Sequence, residues 1–147
     1  MRSSAASLWL AVIVLVTGAL PRPPTLRKCC TLLAPVTFDP NGNLYSTTEA
    51  GGTANCGIAY RLTPNQTGAW KESVLHTFLG VTAQDGENPN GLIFDTHGNL
   101  FGTSLGGGVD NPGTIFELSP TPGGSWTETV LYSFTAGLDG AYPSRVW

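Results

Sequence analysis

An internal repeat constrains this sequence more than any other feature. The phrase FDPNGNL begins at Phe38, and FDTHGNL begins at Phe94, 56 residues later. When residues 38–78 are aligned with residues 94–134 at this constant offset, 18 of the 41 positions are identical. Self-similarity at a fixed period is typical of solenoids and propellers. The sequence therefore predicts two copies of one structural unit.

Each unit contains four strand-like segments, separated by turns that are rich in glycine or proline. In the second unit these segments are residues 92–94, 99–104, 114–119 and 126–134. A four-stranded antiparallel unit that repeats is typical of a propeller blade. The predicted fold class is therefore all-β, with two propeller-like blades that form an incomplete propeller. The 19 glycines and 11 prolines support this class because both residue types disfavour long helices.

The fourth segment of the second unit shows the alternation expected of a strand. Alternate residues are predicted to share one face, namely Trp126, Glu128, Val130, Tyr132 and Phe134. We interpret the repeated Trp70 and Trp126 as packing between blades. The equivalent Glu72 and Glu128 are interpreted as part of a solvated strand face.

The repeated phrase is predicted to form the hairpin between the first two strands of each unit. Asp39 and Asp95 can cap this turn with their carboxylates, and Gly42 and Gly98 can adopt positive φ. The same residue types also resemble a calcium loop, because oxygen-bearing side chains recur at alternate positions. The calcium candidates are Asp39, Asn41, Asn43, Asp95 and Asn99. The structural turn is the preferred interpretation, and calcium binding is the alternative.

No catalytic residues and no other cofactor are predicted. The two histidines are His76, which stands where the second unit has Tyr132, and His97, which lies in the second turn. Neither belongs to a nucleophile motif such as Gly-x-Ser-x-Gly. We interpret His76 as a packing or surface variant of the repeat.

The first 20 residues resemble an export signal. Arg2 precedes an apolar run of nine residues at 8–16, and small residues near Ala19 suit cleavage. An uncleaved membrane anchor is the alternative, although a span needs about 20 apolar residues. The predicted organisation is a signal peptide in a helix (1–20), a linker (21–33), repeat 1 (34–89), repeat 2 (90–143) and the start of a truncated third repeat (144–147).

The charge distribution argues against nucleic acid as a partner. Between residues 34 and 143 the chain has two basic residues, Arg61 and Lys71, and ten acidic residues. Such a surface repels phosphate backbones and also disfavours docking on anionic lipid.

The spacing of both units resembles the GloVer-type repeat of bacterial "choice-of-anchor" tandem-repeat proteins. The similarity covers residues 34–143. It is carried by GLIFD, GNLFGTS, the GGG run, GTIFELSP, WTETVLYSF and DGAYP of the second unit. The resemblance implies an exported protein with many β-repeats, and it implies no catalytic residues.

These observations predict a secreted or cell-surface interaction scaffold that is not an enzyme. Its expected partners are a protein or a carbohydrate at the cell surface, and its open blade faces are expected to favour self-association. Two alternatives stay open: a fragment of a propeller enzyme that acts on polysaccharide, and a non-functional truncated gene product.

Overall fold

The computed structural model describes residues 34–144. The predicted signal peptide and linker lie outside the described residues, as do the last three residues of the chain. Among the described residues, there is no helix with the length and apolar character needed to cross a membrane.

Eight strands form two four-stranded antiparallel sheets, each with its strands in chain order. The first sheet contains β1 (Thr37–Phe38), β2 (Leu44–Thr48), β3 (Ile58–Pro64) and β4 (Trp70–Thr77). A short 3-10 turn (Val81–Ala83) leads to the second sheet, which contains β5 (Gly86–Phe94), β6 (Leu100–Gly107), β7 (Thr114–Pro120) and β8 (Trp126–Ser133). The all-β class and the two four-stranded units are confirmed. The two sheets do not close a ring.

The two sheets share one hydrogen-bonding register. Leu44 lies opposite Leu62 in the first sheet, and Leu100 lies opposite Leu118 in the second. Residues that lie opposite each other in the first sheet therefore correspond, 56 positions later, to residues that lie opposite each other in the second. The repeat exists because each sheet needs the same pairs and the same turns.

A β-bulge in β8 changes the alternation that the sequence predicts. Phe116 pairs with Val130, whereas its neighbour Ile115 pairs with Tyr132. Because adjacent residues of β7 point to opposite faces, Val130 and Tyr132 do so as well. Trp126, Glu128 and Val130 share a face as predicted. The placement of Tyr132 on that face is wrong, because the extra residue of the bulge inverts the alternation.

Strand β5 is longer than the predicted segment 92–94. It begins at Gly86, where Gly86 pairs with Gly107, and its pairing with β6 shifts between Pro89 and Leu92. The glycines and the proline of this stretch indicate a turn by residue type. These residues are tolerated because β5 is an edge strand with an irregular register. Proline can occupy such a strand at a position where its nitrogen is not needed for a hydrogen bond to the neighbouring strand. The predicted unit boundary at 89/90 lies inside this strand.

The hydrophobic core lies between the two sheets. The first sheet and its loops contribute Tyr45, Cys56, Ala59, Leu75 and Phe78, and the second contributes Leu92, Leu100, Phe116 and Leu118. The rings of Phe78 and Phe116 are fully buried, with centroids 5.0 Å apart. Each such side chain stabilises the fold by about 1.5–3 kcal/mol through burial. One core therefore holds both sheets, which stack face to face.

The two units use opposite faces in this stack. Tyr45 and Ala59 of the first unit point toward the second sheet and are buried. Their repeat equivalents, Phe101 and Ile115, lie on the outer side of the second sheet and are only partly buried. The inner face of one sheet therefore corresponds to the outer face of the other.

Candidate functional site

The repeated phrase forms the predicted turn in both units. Asp39 accepts hydrogen bonds at Oδ1 from the backbone N–H groups of Asn41 and Asn43, each at 2.9 Å. Its Oδ2 accepts from the side chains of Asn43 at 2.7 Å and Tyr45 at 3.2 Å. Gly42 has φ of +81°. The turn interpretation is thus confirmed in the first unit.

The second turn repeats this geometry. Asp95 accepts from the backbone N–H groups of His97 at 2.8 Å and Asn99 at 2.9 Å, and from Asn99 Nδ2 at 3.0 Å. Burial opposes ionisation of Asp95, but these hydrogen bonds outweigh it and lower the pKa of the carboxyl group. The imidazole of His97 is 83% exposed, and its Nδ1 lies 3.4 Å from Asp95 Oδ2.

The turn contacts occupy the carboxylate oxygens that the calcium interpretation requires. In both turns, every described partner of the aspartate is an N–H or O–H donor. Calcium binding by Asp39, Asn41, Asn43, Asp95 and Asn99 stays a prediction.

A cleft of about 580 Å³ lies between the two turns. Four aromatic side chains line it, and its remaining walls come from the turns and from Pro120. The aromatic residues are Phe38, Tyr45, Phe94 and Trp126. Tyr45 of the first sheet meets Phe94 of the second edge to face, with ring centroids 4.9 Å apart. The cleft therefore belongs to both sheets.

A family model described as the Gloeobacter/Verrucomicrobia repeat matches residues 32–146. The chain belongs to this repeat family. Searches of curated proteins and of solved structures give no match. The match covers both sheets of the Gloeobacter/Verrucomicrobia repeat protein and all of its described residues, and it confirms the GloVer-type resemblance.

The interface between the two repeat units contains a cluster of ionisable side chains. His76 on β4 lies 3.0 Å through Nε2 from Oδ2 of Asp85, which precedes β5. Glu128 on β8 completes the cluster, and the ligand atoms of the three side chains all lie within 4.8 Å of one another. The cluster thus joins two residues from the first unit and its following loop to one from the second unit.

Glu128 is placed differently from the prediction. Burial and the neighbouring Asp85 raise the pKa of its carboxyl group to about 7, and His76 partly opposes this shift. Its Oε1 is buried without a hydrogen-bond partner. The solvated-face interpretation is therefore wrong for Glu128, because the first sheet covers it. The same interpretation is confirmed for Glu72, which is exposed.

His76 also has a more specific environment than the sequence indicates. Its ring meets Phe78 edge to face at 4.7 Å. The sequence analysis did not predict its partner. The signal that could have indicated it is the repeated DG-x-x-P phrase, in which Asp85 corresponds to Asp139. In the second unit Tyr132 donates to Oδ2 of Asp139 at 2.9 Å. His76 and Asp85 thus occupy the positions of a Tyr–Asp pair in the other copy.

Proposed function

We propose that this repeat protein is an exported, non-enzymatic interaction scaffold, and that its two outer blade faces bind further blades of the same kind. The first 20 residues motivate export to the cell surface. One observation carries the proposal: the outer face of the first sheet repeats the residues that the second sheet uses in the buried interface.

The outer face of the first sheet is open and presents large apolar side chains, together with the carboxylate of Glu72. It displays Phe38, Trp70 and Val74, which are 59%, 50% and 54% exposed, and Phe38 also borders the cleft between the two turns. Their repeat equivalents in the second sheet, Phe94, Trp126 and Val130, are partly buried against the first sheet. A face of this composition is therefore suited to contact another copy of the surface that the second sheet already contacts.

That matching surface is available on the other side of the molecule. The outer face of the second sheet carries Ile93, which is 67% exposed, together with Phe101 and Ile115. Phe101 and Ile115 are the repeat equivalents of Tyr45 and Ala59, which form the inner face of the first sheet. The expected association joins two different faces, head to tail, with a second copy of this chain as the occupant. Propellers close with four to eight blades, so such stacking extends toward a ring.

Sizing of the full chain by analytical ultracentrifugation tests this proposal. Trp70→Lys blocks the first outer face, and Ile93→Lys blocks the second. We expect the wild-type chain to associate with rising concentration and each variant to remain monomeric. An equimolar mixture should form dimers, because each variant supplies the face that the other lacks.

Leu138→Lys is the matched control, since Leu138 is fully exposed and lies outside the sheets. It should associate as the wild type does. A wild-type chain that stays monomeric over the whole concentration range contradicts the proposal. Single variants that still form dimers indicate pairing of like faces and contradict the head-to-tail arrangement.

Carbohydrate binding is the second candidate, and the aromatic cleft favours it. Aromatic side chains offer a ligand a large apolar contact surface, and little conformational entropy is lost when they bind it. Phe38 is exposed at the cleft. Hydrolysis requires a carboxylic acid that is protonated near neutral pH. The pKa values of Asp39 and Asp95 are lowered, despite burial, by the hydrogen bonds of the turns. The cleft therefore favours binding over hydrolysis.

Calorimetric titration with a panel of soluble polysaccharides tests this candidate. Phe38→Ala should weaken binding, because it removes an exposed ring from the cleft. Trp70→Ala is the control, since Trp70 is an exposed ring outside the cleft lining. Equal effects of the two variants, or no heat with any polysaccharide, would count against the cleft as a sugar site.

A further inference from the structure

Three side chains of different chemistry converge where the two repeat units meet. An imidazole and a carboxylate come from the first unit and its following loop, as His76 and Asp85, and a second carboxylate comes from Glu128 of the second unit. Their nitrogen and oxygen ligand atoms lie within 4.8 Å of one another. None of the three residues is exposed. This differs from an ordinary surface cluster of acidic groups.

Contacts from the first unit fix two of these side chains in place. Asp85 Oδ2 accepts the backbone N–H of Leu79 at 2.8 Å, and Oδ1 accepts the N–H of Gly86. The His76 ring is held by Phe78 and directs Nε2 toward Asp85. A carboxylate has lone pairs for about four partners, so Asp85 can keep the two backbone contacts and still bind a cation. His76 Nε2 exchanges its contact with Asp85 Oδ2 for the ion, because a ring nitrogen coordinates a metal through the lone pair of its unprotonated form. Such outer contacts are what orients ligands in metal sites.

Glu128 supplies an observation that packing does not explain. Its Oε1 is buried between the sheets and has no hydrogen-bond partner. Buried polar atoms are paired in the large majority of cases, and an unpaired one is destabilising. The neighbouring side chains that face it, Asp85 and His76, do not satisfy this oxygen. A cation held by all three side chains would.

The repeat shows that this combination occurs once among the described residues. At the equivalent positions of the second unit, Tyr132 and Asp139 form a hydrogen-bonded pair. The residue equivalent to Glu128 is Glu72, which is exposed on the outer face of the first sheet. Histidine at position 76 adds a metal ligand where Glu128 faces it.

We propose that His76, Asp85 and Glu128 bind one divalent transition-metal ion, for which zinc is the first candidate. The bound ion links the two blades. Imidazole and carboxylate are both zinc ligands, at about 2.0–2.2 Å from the ion. Ligand atoms of one ion are therefore about 3–4 Å apart. The ligand atoms of the cluster lie within 4.8 Å of one another, so binding requires a contraction of up to about 1–2 Å. The two carboxylates also balance the charge of a divalent ion. The ion acts as a structural clamp of the blade interface.

Zinc binding to the chelator-treated full chain, measured by competition with a fluorescent zinc indicator, tests the site. We expect the wild-type chain to bind one equivalent and to melt at a higher temperature with zinc than without it, because an ion that binds only the folded state stabilises it. His76→Tyr and Glu128→Gln should each weaken binding by about tenfold or more and remove the thermal shift. His76→Tyr introduces the residue that the second unit has at this position, and its fold has to be verified because Tyr132 lies on an exposed face whereas His76 lies at the interface.

Two controls separate this site from adventitious binding. His97→Asn removes the exposed histidine beside Asp95 and introduces the residue of the first turn, and Glu72→Gln changes the exposed equivalent of Glu128. Both should bind zinc as the wild type does. The proposal is overturned if the wild-type chain binds no zinc at 100 µM, if His97→Asn removes the binding, or if Glu128→Gln leaves it unchanged. Circular dichroism shows whether each variant is folded. If His76→Tyr is not folded, the zinc binding of Glu128→Gln alone decides the test.

Discussion

Gly98 shows how one residue sets the geometry of the repeated turn. Its φ is +89°, and a Cβ added to it meets no atom within 4 Å. The only penalty of a side chain here is therefore the left-handed backbone. We expect Gly98→Ala to lower the free energy of unfolding by about 1 kcal/mol, and Gly98→Val to lower it further. Urea denaturation measures the difference.

Gly123 provides the matched control, because it has open space around its Cβ position and no positive φ. Gly123→Ala should leave the stability unchanged or raise it slightly. If Gly98→Ala and Gly123→Ala have the same effect, the positive φ of Gly98 does not constrain the turn.

Glu128 is expected to make the stability of the metal-free chain depend on pH. Burial and Asp85 raise its pKa from 4.5 to about 7 in the folded state. The folded chain therefore holds this proton more tightly than the unfolded chain does. This stabilisation is fully present below about pH 4.5 and is lost as the pH rises through about 7. Urea denaturation between pH 5 and 8 with a chelator should show the decline.

Glu128→Gln should remove this part of the pH dependence, because glutamine resembles the protonated acid and does not titrate. It should be more stable than the wild type at pH 8 and similar to it at pH 5. Glu72→Gln should follow the wild-type profile. A Glu128→Gln profile parallel to that of the wild type would contradict the assignment.

At the scale of elements, β4 and β8 are the same strand in two environments. Trp70 and Trp126 are the first residues of these strands, and both lie opposite a proline of the preceding strand. Trp126 packs against the core and lies 6.2 Å from the Tyr45 ring, whereas Trp70 is 50% exposed. We expect Trp126→Ala to destabilise the chain by about 3 kcal/mol and Trp70→Ala by less than about 1 kcal/mol. Similar losses in thermal or urea unfolding would show that the sheets do not stack as described.

The same two strands show what the sequence can and cannot predict. The 56-residue offset predicts four strands per unit and the turns at Asp39 and Asp95, because these depend on residue type and local spacing. The repeat offset does not predict the bulge opposite Ile115, because the sequence of β8 still alternates plausibly when one extra residue is present. Glu72 and Glu128 also occupy equivalent positions of the repeat, so the sequence gives no reason to expect different environments for them. Only the side on which the other sheet stacks decides which carboxylate is buried, and this is a long-range property.

At the scale of the whole molecule, both units depend on a single core. Phe78 follows β4 and Phe116 lies on β7, and their buried rings are in contact across the two sheets. Repeat proteins can unfold unit by unit when contacts within a unit dominate. Here the largest buried side chains lie at the boundary of the two units. We therefore expect the sheets to unfold together.

Phe116→Ala tests this coupling, with an expected loss of about 3–5 kcal/mol. Hydrogen exchange should show the loss equally in β2 and β3 of the first sheet and in β6 and β7 of the second, because amides that open in one global step share its free energy. Leu131→Ala is the control, since Leu131 is a bulge residue that is 47% exposed, and it should change exchange little in either sheet. Faster exchange confined to β6 and β7 after Phe116→Ala would show that the first sheet is stable without the second, and that the shared core does not couple them.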